Sequence, residues 1–406
     1  MKYKFLLPAV LTASLMLGSC SLFEVDDVQD LNNPTVESVL SNATAVQIKQ
    51  LATGVQSSMR NGYYDMSWCG GSIGRECIVF NKTDNRYYTE LQGQVAIDPA
   101  GIFYPWYNSM NTARRRAEIL LRSANNSTEL DGVQKKAVEG FAKTVQAYIM
   151  LNCLNMMGET GIRTEFSDLL APGDLLNPGA FKTYAEGLAY CKQLADDGAT
   201  ALDAGGAAFP FTLAAGWAGF NTPANFKKFN RAVAARVAMY QKDWSGMNTA
   251  LTNSFLDPAA PLTTGPNFNY STGTGDATNA FFQPLDETNR PIAVQNSFLA
   301  DAEAGDTRVF GTSIREGGKA KIRLRTATVT LGGFPESAYE LQAYATNVSN
   351  VSIIRNEELI LMWAEAKAQN SELPAAVTAL DIIRAAHGLA GLATAKPTIL
   401  NNKDAL

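Results

Sequence analysis

Gly70-Gly71-Ser72-Ile73-Gly74 satisfies G-x-S-x-G, the spacing at which a strand-to-helix turn can lift a serine as a nucleophile. That chemistry needs a histidine base at the hydroxyl, and the only histidine is His387, far along the chain. No alternating strand and helix pattern surrounds Ser72, so the expected reading is a glycine-rich loop beside Trp68-Cys69. His387 reads as a helix-end residue, where a cationic side chain suits the local dipole. Metal chemistry is no better supplied: there is no H-E-x-x-H and no paired C-x-x-C. Asp286-Glu287 and other scattered carboxylates lack the spacing of a calcium loop. Without a P-loop or a complete dinucleotide fingerprint no cofactor is implied. The expectation is a protein that is not an enzyme and has no catalytic residues and no metal site.

Binding residues are easier to find. "NGYYDMSWCGG", "DNRYYTELQG", "FYPWYNS", "GWAGFNTP" and "TNAFFQPLDETNRP" set aromatic rings beside amides and guanidinium groups. Rings that stack, with directed donors next to them, suit sugar rings or extended peptides. Trp106 and Phe281 read equally well as core. Trp68, Arg86, Tyr87, Tyr88 and Trp217 are the residues expected to contact a ligand.

The chain opens with Lys2 and Lys4, an apolar run from Phe5 to Leu17, and then Leu17-Gly18-Ser19-Cys20. A basic start, a short apolar core and small residues before a break make a secretory signal peptide, expected over residues 1–19. The four residues at its end look like a bacterial lipobox, which would leave Cys20 as an acylated N-terminus. Several acyl chains anchor lastingly where one binds only marginally. Ser21 and the acidic Glu24, Asp26 and Asp27 resemble an outer-membrane sorting leader. Residues 204–226 are free of charge, but their glycines and prolines read as an aromatic loop rather than a membrane span. Of the other cysteines, Cys69 and Cys77 are close enough in sequence for a disulfide, whereas Cys153 and Cys191 read as core. A net charge of -5, and no basic run beyond Arg114-Arg115-Arg116, argue against nucleic acid as a partner. That triplet reads as a solvated helix face.

The elements that must position these residues are helices in pairs. Apolar spacing predicts helices over 109–122 and 131–157, at about 181–197, over 225–241 and 244–256, and over 354–369 and 374–387. Amphipathic helices joined by short turns bury their faces by stacking on neighbours, as tetratricopeptide hairpins do. Long stretches rich in Gly, Asn, Thr, Pro and aromatics interrupt the series at about 24–105 and 257–352. Within them "KIRLRTATVTL" reads as a strand. Loops of that length in a compact protein usually carry function. The fold class is therefore mostly α, with tetratricopeptide-like helix pairs and loop-rich insertions in one domain over residues 20–406.

"IIRNEELILMWAEAKAQ" followed by "AAVTALDIIRAAHGL" resembles the signature helix pair of the SusD/RagB family of surface nutrient-binding lipoproteins. The matching residues are Arg355, Glu358, Ala364-Glu365-Ala366, Ile383-Arg384 and Gly388-Leu389. The lipobox, "VEGFAKTVQAYIMLNCLNMMGETGI", "FNRAVAARVAMYQKDWSGMNTAL" and the Asp306/Arg308 element match in order. Ala386-His387 departs from the family's arginine-alanine. The stop at "NNKDAL", where the family continues into another helical segment, reads as an end cut short. The resemblance implies a lipid-anchored outer-membrane protein at the cell surface. It would capture a glycan, or alternatively a peptide, and pass it to a SusC-like TonB-dependent transporter. An envelope scaffold with no nutrient ligand is the runner-up. Helical spacing of Arg355, Glu358, Glu365 and Arg384 points to packing and ion pairs rather than catalysis.

Overall fold

The computed structural model describes residues 35–166, 179–310, 321–330 and 336–406. Cys20 and the rest of the lipobox lie outside them. Three helices open the described chain: α1 (Val36–Asn42), α2 (Ala45–Ser58) and α3 (Tyr63–Ile73). They are followed by β1 (Cys77–Val79) and the single turn α4 (Arg86–Thr89). The expectation of a loop-rich stretch here is corrected. In α2 a capping box closes the first turn, Thr44 and Gln47 each satisfying the other's backbone N–H. α3 has glycine-rich, unperiodic sequence, and its helix is held by tertiary packing of Trp68, Cys69 and Ser72. The Gly70-to-Gly74 motif is the last turn of that helix and its cap, not a strand-to-helix elbow. Ser72 is fully buried, its Oγ 3.9 Å from the Cys77 sulfur. Cys69 and Cys77 are buried free thiols, pushed up to about 12 by burial. Cys153 and Cys191 are buried as expected.

The helical body follows: α5 (Phe103–Asn126), α6 (Gly132–Met157), the short antiparallel pair β2 (Ile162–Arg163) and β3 (Phe181–Lys182), α7 (Tyr184–Asp203), α8 (Pro223–Gln241) and α9 (Trp244–Thr252). Each long helix packs on the next, α5 on α6, α6 on α7, α7 on α8 and α8 on α9. Their starts are written locally: Asp131 with Gln134 and Thr183 with Glu186 form capping boxes, and Thr222 precedes Pro223 at the first turn of α8. α6 is buried nearly all round from Phe141 to Leu154. Gly140 allows its closest approach, because a Cβ there would lie 2.5 Å from the Leu202 side chain of α7. The buried amide of Asn230 on α8 donates to Thr144 Oγ1 at 2.8 Å and to the Ala195 carbonyl at 2.9 Å, joining three helices by satisfied hydrogen bonds.

After the helical body come β4 (Asn267–Phe268), β5 (Ile292–Val294), the short helices α10 (Asn296–Asp301) and α11 (Thr307–Phe310), β6 (Ile322–Val329), β7 (Ser337–Leu341) and β8 (Val351–Ser352). The expected strand in "KIRLRTATVTL" is β6. Strands β1, β5, β7 and β6 form, in that order, a four-stranded sheet, and β4 pairs with β8. The insertion is thus strand-built rather than loop alone. The chain then forms α12 (Asn356–Gln369), α13 (Leu373–Ala386) and α14 (Leu392–Ala395), with α12 packed on α9 and α13. The architecture is mostly α, as the helix pairs predict.

Charges in the α12–α13 pair sort differently from expectation. Glu358 takes both Nε and Nη2 of Arg236 at 2.7 and 2.8 Å, tying α12 to α8. Arg384 grips Glu303 with both terminal nitrogens at 2.9 and 2.6 Å. Glu365, by contrast, is exposed and has no ion pair among the described residues, so its expected packing role is corrected. Glu365→Gln should leave stability within about 0.5 kcal/mol of wild type. Glu358→Gln should cost about 2–3 kcal/mol by leaving Arg236 without its counter-charge. Parallel urea denaturation of the two variants checks this, and equal effects would contradict the assignment.

Candidate functional site

α2 presents one face to the core and another to a cleft. Ile48, Ala52 and Val55 face the core. Thr53, Gln56, Ser57 and, just past the helix, Arg60 recur at i, i+3, i+4 and i+7 and form one wall of a cleft. Residues 212–214 form a second wall, Asn267, Phe268 and Asn269 a third, and Thr274 to Asp276 the rim, enclosing about 460 Å³. Trp217 is the floor. A largely apolar hollow with a few fixed polar groups is the usual form of a small-ligand site.

The cleft's polar groups are held in place before any ligand arrives. Gln56 accepts from the Ala214 N–H at 2.8 Å and donates to the Thr212 carbonyl at 3.2 Å. Asn269 accepts from Gly216 and donates to Asn350 at 3.0 Å. Arg60 pairs with Asp276 at 2.5 Å and stacks over Tyr270 at 5.2 Å. The Arg60 hydrogen bond, with burial opposing it, holds the Asp276 carboxyl below its usual range. Arg60 and Asp276 are the two charged residues of the lining, and they neutralise each other.

A line of ring contacts leads from this cleft across α3. Phe268 meets Tyr63 at 5.4 Å, Tyr63 meets Phe281 at 5.9 Å, and Phe281 meets Tyr64 at 5.3 Å. The Arg290 guanidinium then lies between two rings, 5.2 Å from Tyr64 and 4.7 Å from Tyr87. Among the described residues its Nε and Nη2 have no hydrogen-bond acceptor. Phe268 is buried, whereas Tyr63, Tyr64, Tyr87 and Phe281 are each half-buried. Next to it exposed Arg86 holds Asp84 through Nε at 3.0 Å and Nη2 at 2.8 Å.

The residues expected from sequence therefore separate. Arg86 is exposed, and Tyr87 is half-buried on the aromatic line. Half-buried Tyr88 packs instead toward Ile78, Phe80, Ala293 and Val329. Trp68 is corrected from exposed ring to core. It is 6% exposed, packed on Cys77, Val79 and Ile292, because it lies on the inward face of α3. Trp217 is also core, 2% exposed, with Phe226 and Phe229 beneath it at 5.2 and 5.0 Å. It serves the cleft as a buried support and not as a stacking face. Arg60, Gln56, Asp276 and Arg290 were missed. The polar i, i+3, i+4, i+7 stripe on α2 was the available signal.

The fold so described is shared with solved structures described as SusD superfamily and SusD-like proteins. A SusD superfamily protein from Bacteroides thetaiotaomicron aligns over 91% of this chain and 83% of its own, with a TM-score of 0.59 and 14% identity. Surface glycan-binding protein A from Bacteroides uniformis aligns over 89% and 85%, with a TM-score of 0.61 and 16% identity. The surface glycan-binding protein A of Bacteroides thetaiotaomicron in complex with laminarihexaose aligns over 85% and 83%, with a TM-score of 0.60 and 13% identity. No family model and no curated relative matches the sequence. At such identities the likeness is one of fold.

Proposed function

We propose that this protein is a non-enzymatic binder of a neutral glycan, seated in the Arg60 cleft and extending along the aromatic line toward Tyr87 and Arg86. The observation that carries the reading is the cleft itself: largely apolar walls, pre-set amides, and one charge pair that cancels. A hydroxyl-rich, uncharged ligand fits such a lining, whereas a charged one would meet no unpaired partner there. Structures of the same fold that are described as glycan-binding favour the same class. Under this reading Cys20 carries the lipid that holds the protein at the outer-membrane surface, and a SusC-like TonB-dependent transporter receives the glycan. No helix among the described residues is long and apolar enough to cross a membrane.

Ser57 is exposed on the cleft wall, so a large side chain there should fill the hollow without disturbing the core. Calorimetric titration of the chain from residue 21 onward with neutral oligosaccharides, laminarihexaose among them, tests the reading. Ser57→Trp should abolish binding, and Tyr87→Ala should weaken it about tenfold by removing one stacking ring. Both should keep wild-type helical content. Wild-type failure across the panel, or full affinity in Ser57→Trp, would overturn the assignment; binding to peptides alone would turn it toward the peptide class.

A further inference from the structure

The aromatic line carries one more polar group, the carboxylate of Asp65. It stands in the first turn of α3, next to Tyr64, and is half-buried. Its charge acts on Tyr64, Tyr87 and Arg290, which sets it at the end of the line where those three meet. Among the described residues no ion pair and no hydrogen bond from another residue claims it. Burial raises its pKa, and the Arg290 charge and its own backbone N–H oppose the rise. Asp84 is the reverse case: Arg86 grips it at 3.0 and 2.8 Å and holds its carboxyl below the usual range.

Arg290 is not the group a ligand would grip. Its Nε and Nη2 are sealed from solvent, so a second molecule has no room on that edge. Neither oxygen of Asp65 is sealed in that way. Two other arginines drawn out of water each reach an oxygen. Arg325 reaches Glu340, and Arg114, buried rather than solvated as its triplet suggested, donates to the Arg163 carbonyl at 3.0 Å. Arg290 has rings instead: clamped 5.2 Å from Tyr64 and 4.7 Å from Tyr87, it fixes both side chains and favours the ionised form of Asp65. An ionised carboxylate only accepts, and its two oxygens can take two adjacent hydroxyls of one sugar ring. Bonds of that kind are about twice as strong as those between neutral groups.

We propose that Asp65 is the specificity-determining residue of the aromatic line, accepting hydrogen bonds from two adjacent hydroxyls of a sugar ring seated against Tyr87. Arg290 is its positioning residue. The proposal rests on the neutral-glycan reading above and narrows the ligand. A cello-oligosaccharide keeps its second and third hydroxyls free on every internal ring. A laminarin oligosaccharide spends the third in its linkage, so its internal rings have no adjacent pair. Asp65 therefore selects chains of the first kind.

The full chain is titrated calorimetrically with cellohexaose and with laminarihexaose, which are equal in length and charge and differ in linkage. Cellohexaose should bind at least about tenfold more tightly. Asp65→Asn keeps the shape, removes the charge and should melt no lower than wild type. It should lose about tenfold in affinity for cellohexaose and stay within about twofold for laminarihexaose, erasing the discrimination. Wild-type affinity for cellohexaose should also fall as pH drops through the raised pKa of Asp65, and that of Asp65→Asn should not. The other groups facing Asp65 hold still in that window: Arg290 stays charged, Tyr64, Tyr87 and Cys69 stay protonated, and Asp84 titrates lower. Should the variant not fold, the wild-type pH profile decides, a flat one overturning the proposal. Discrimination that survives in Asp65→Asn, or laminarihexaose bound as tightly as cellohexaose by the wild type, overturns it and leaves the cleft reading intact. Binding of neither chain overturns it too, and the wider reading then stands or falls on the remaining neutral oligosaccharides and Ser57→Trp.

Discussion

Glu340→Ala should be the most damaging single substitution in the sheet, costing about 3–5 kcal/mol. Glu340 is completely buried on β7. Its Oε1 accepts from Arg323 Nη1 and its Oε2 from Arg325 Nη1, each at 2.7 Å. Both oxygens also accept from the Asp286 N–H, at 3.3 and 3.1 Å. Arg323 keeps a second partner in Asp286, which takes its two terminal nitrogens at 3.0 and 3.1 Å. Arg325 has no such reserve: its side chain is 5% exposed and Glu340 is its only ion-pair partner among the described residues. Alanine would strand that cation, and the penalty is a large part of the roughly 5–15 kcal/mol that holds a domain folded. Urea denaturation measures it. A loss below about 1 kcal/mol would mean that water reaches Arg325 and the network adds little. The same network explains why Asp286 is no calcium ligand in waiting. Its carboxylate is committed to Arg323 and to the Thr326 N–H at 2.8 Å.

Trp217→Ala should strike stability and binding together. The indole is wedged on Phe226 and Phe229, which in turn pack with Phe141 and Tyr148 of α6. Emptying a buried tryptophan site costs about 3–5 kcal/mol, and the void would open directly under the cleft. With the floor gone, the wall formed by residues 212–214 loses its backing, and glycan affinity should drop below detection even where the protein remains folded. Trp217→Phe, which keeps a ring against Phe226, should recover most of both. Melting and calorimetry on one preparation separate the effects. Full affinity in a folded Trp217→Ala protein would show that the cleft does not depend on its floor.

The helical body was legible because its signals are local. Val133, Ala137, Val138, Phe141, Val145 and Tyr148 keep helical spacing, Asp131 and Gln134 mark the start, and the helix runs from Gly132 to Met157 as that pattern requires. Thr183 and Thr222-Pro223 mark the starts of α7 and α8 in the same local way, although apolar spacing alone placed those starts at about 181 and at 225. α3 was illegible for the opposite reason. "YYDMSWCGGSI" has neither apolar period nor cap, and it is helical because Trp68 and Cys69 find Val79, Ile292, Leu91 and Ile102, partners contributed by other elements. The same cause misplaced the site. An aromatic in a glycine-rich stretch looks exposed in sequence, yet Trp68 and Trp217 were claimed by the core, while the ring that stayed accessible, Tyr87, sits on the single turn α4. Arg60 and Asp276 meet across more than two hundred positions, a pairing that no local pattern encodes.

The enclosure of α6 also determines which part of the molecule keeps time for the whole. Its amides from Phe141 to Leu154 lie behind α5, α7 and α8, so no fraying or local opening exposes them to solvent. Their hydrogen–deuterium exchange then proceeds only through complete unfolding, and its rate is a clock for global stability. Any molecule that binds the folded state slows that clock by its own binding free energy, wherever on the surface it lands. α6 is thus a built-in reporter that registers binding to the folded protein at any site.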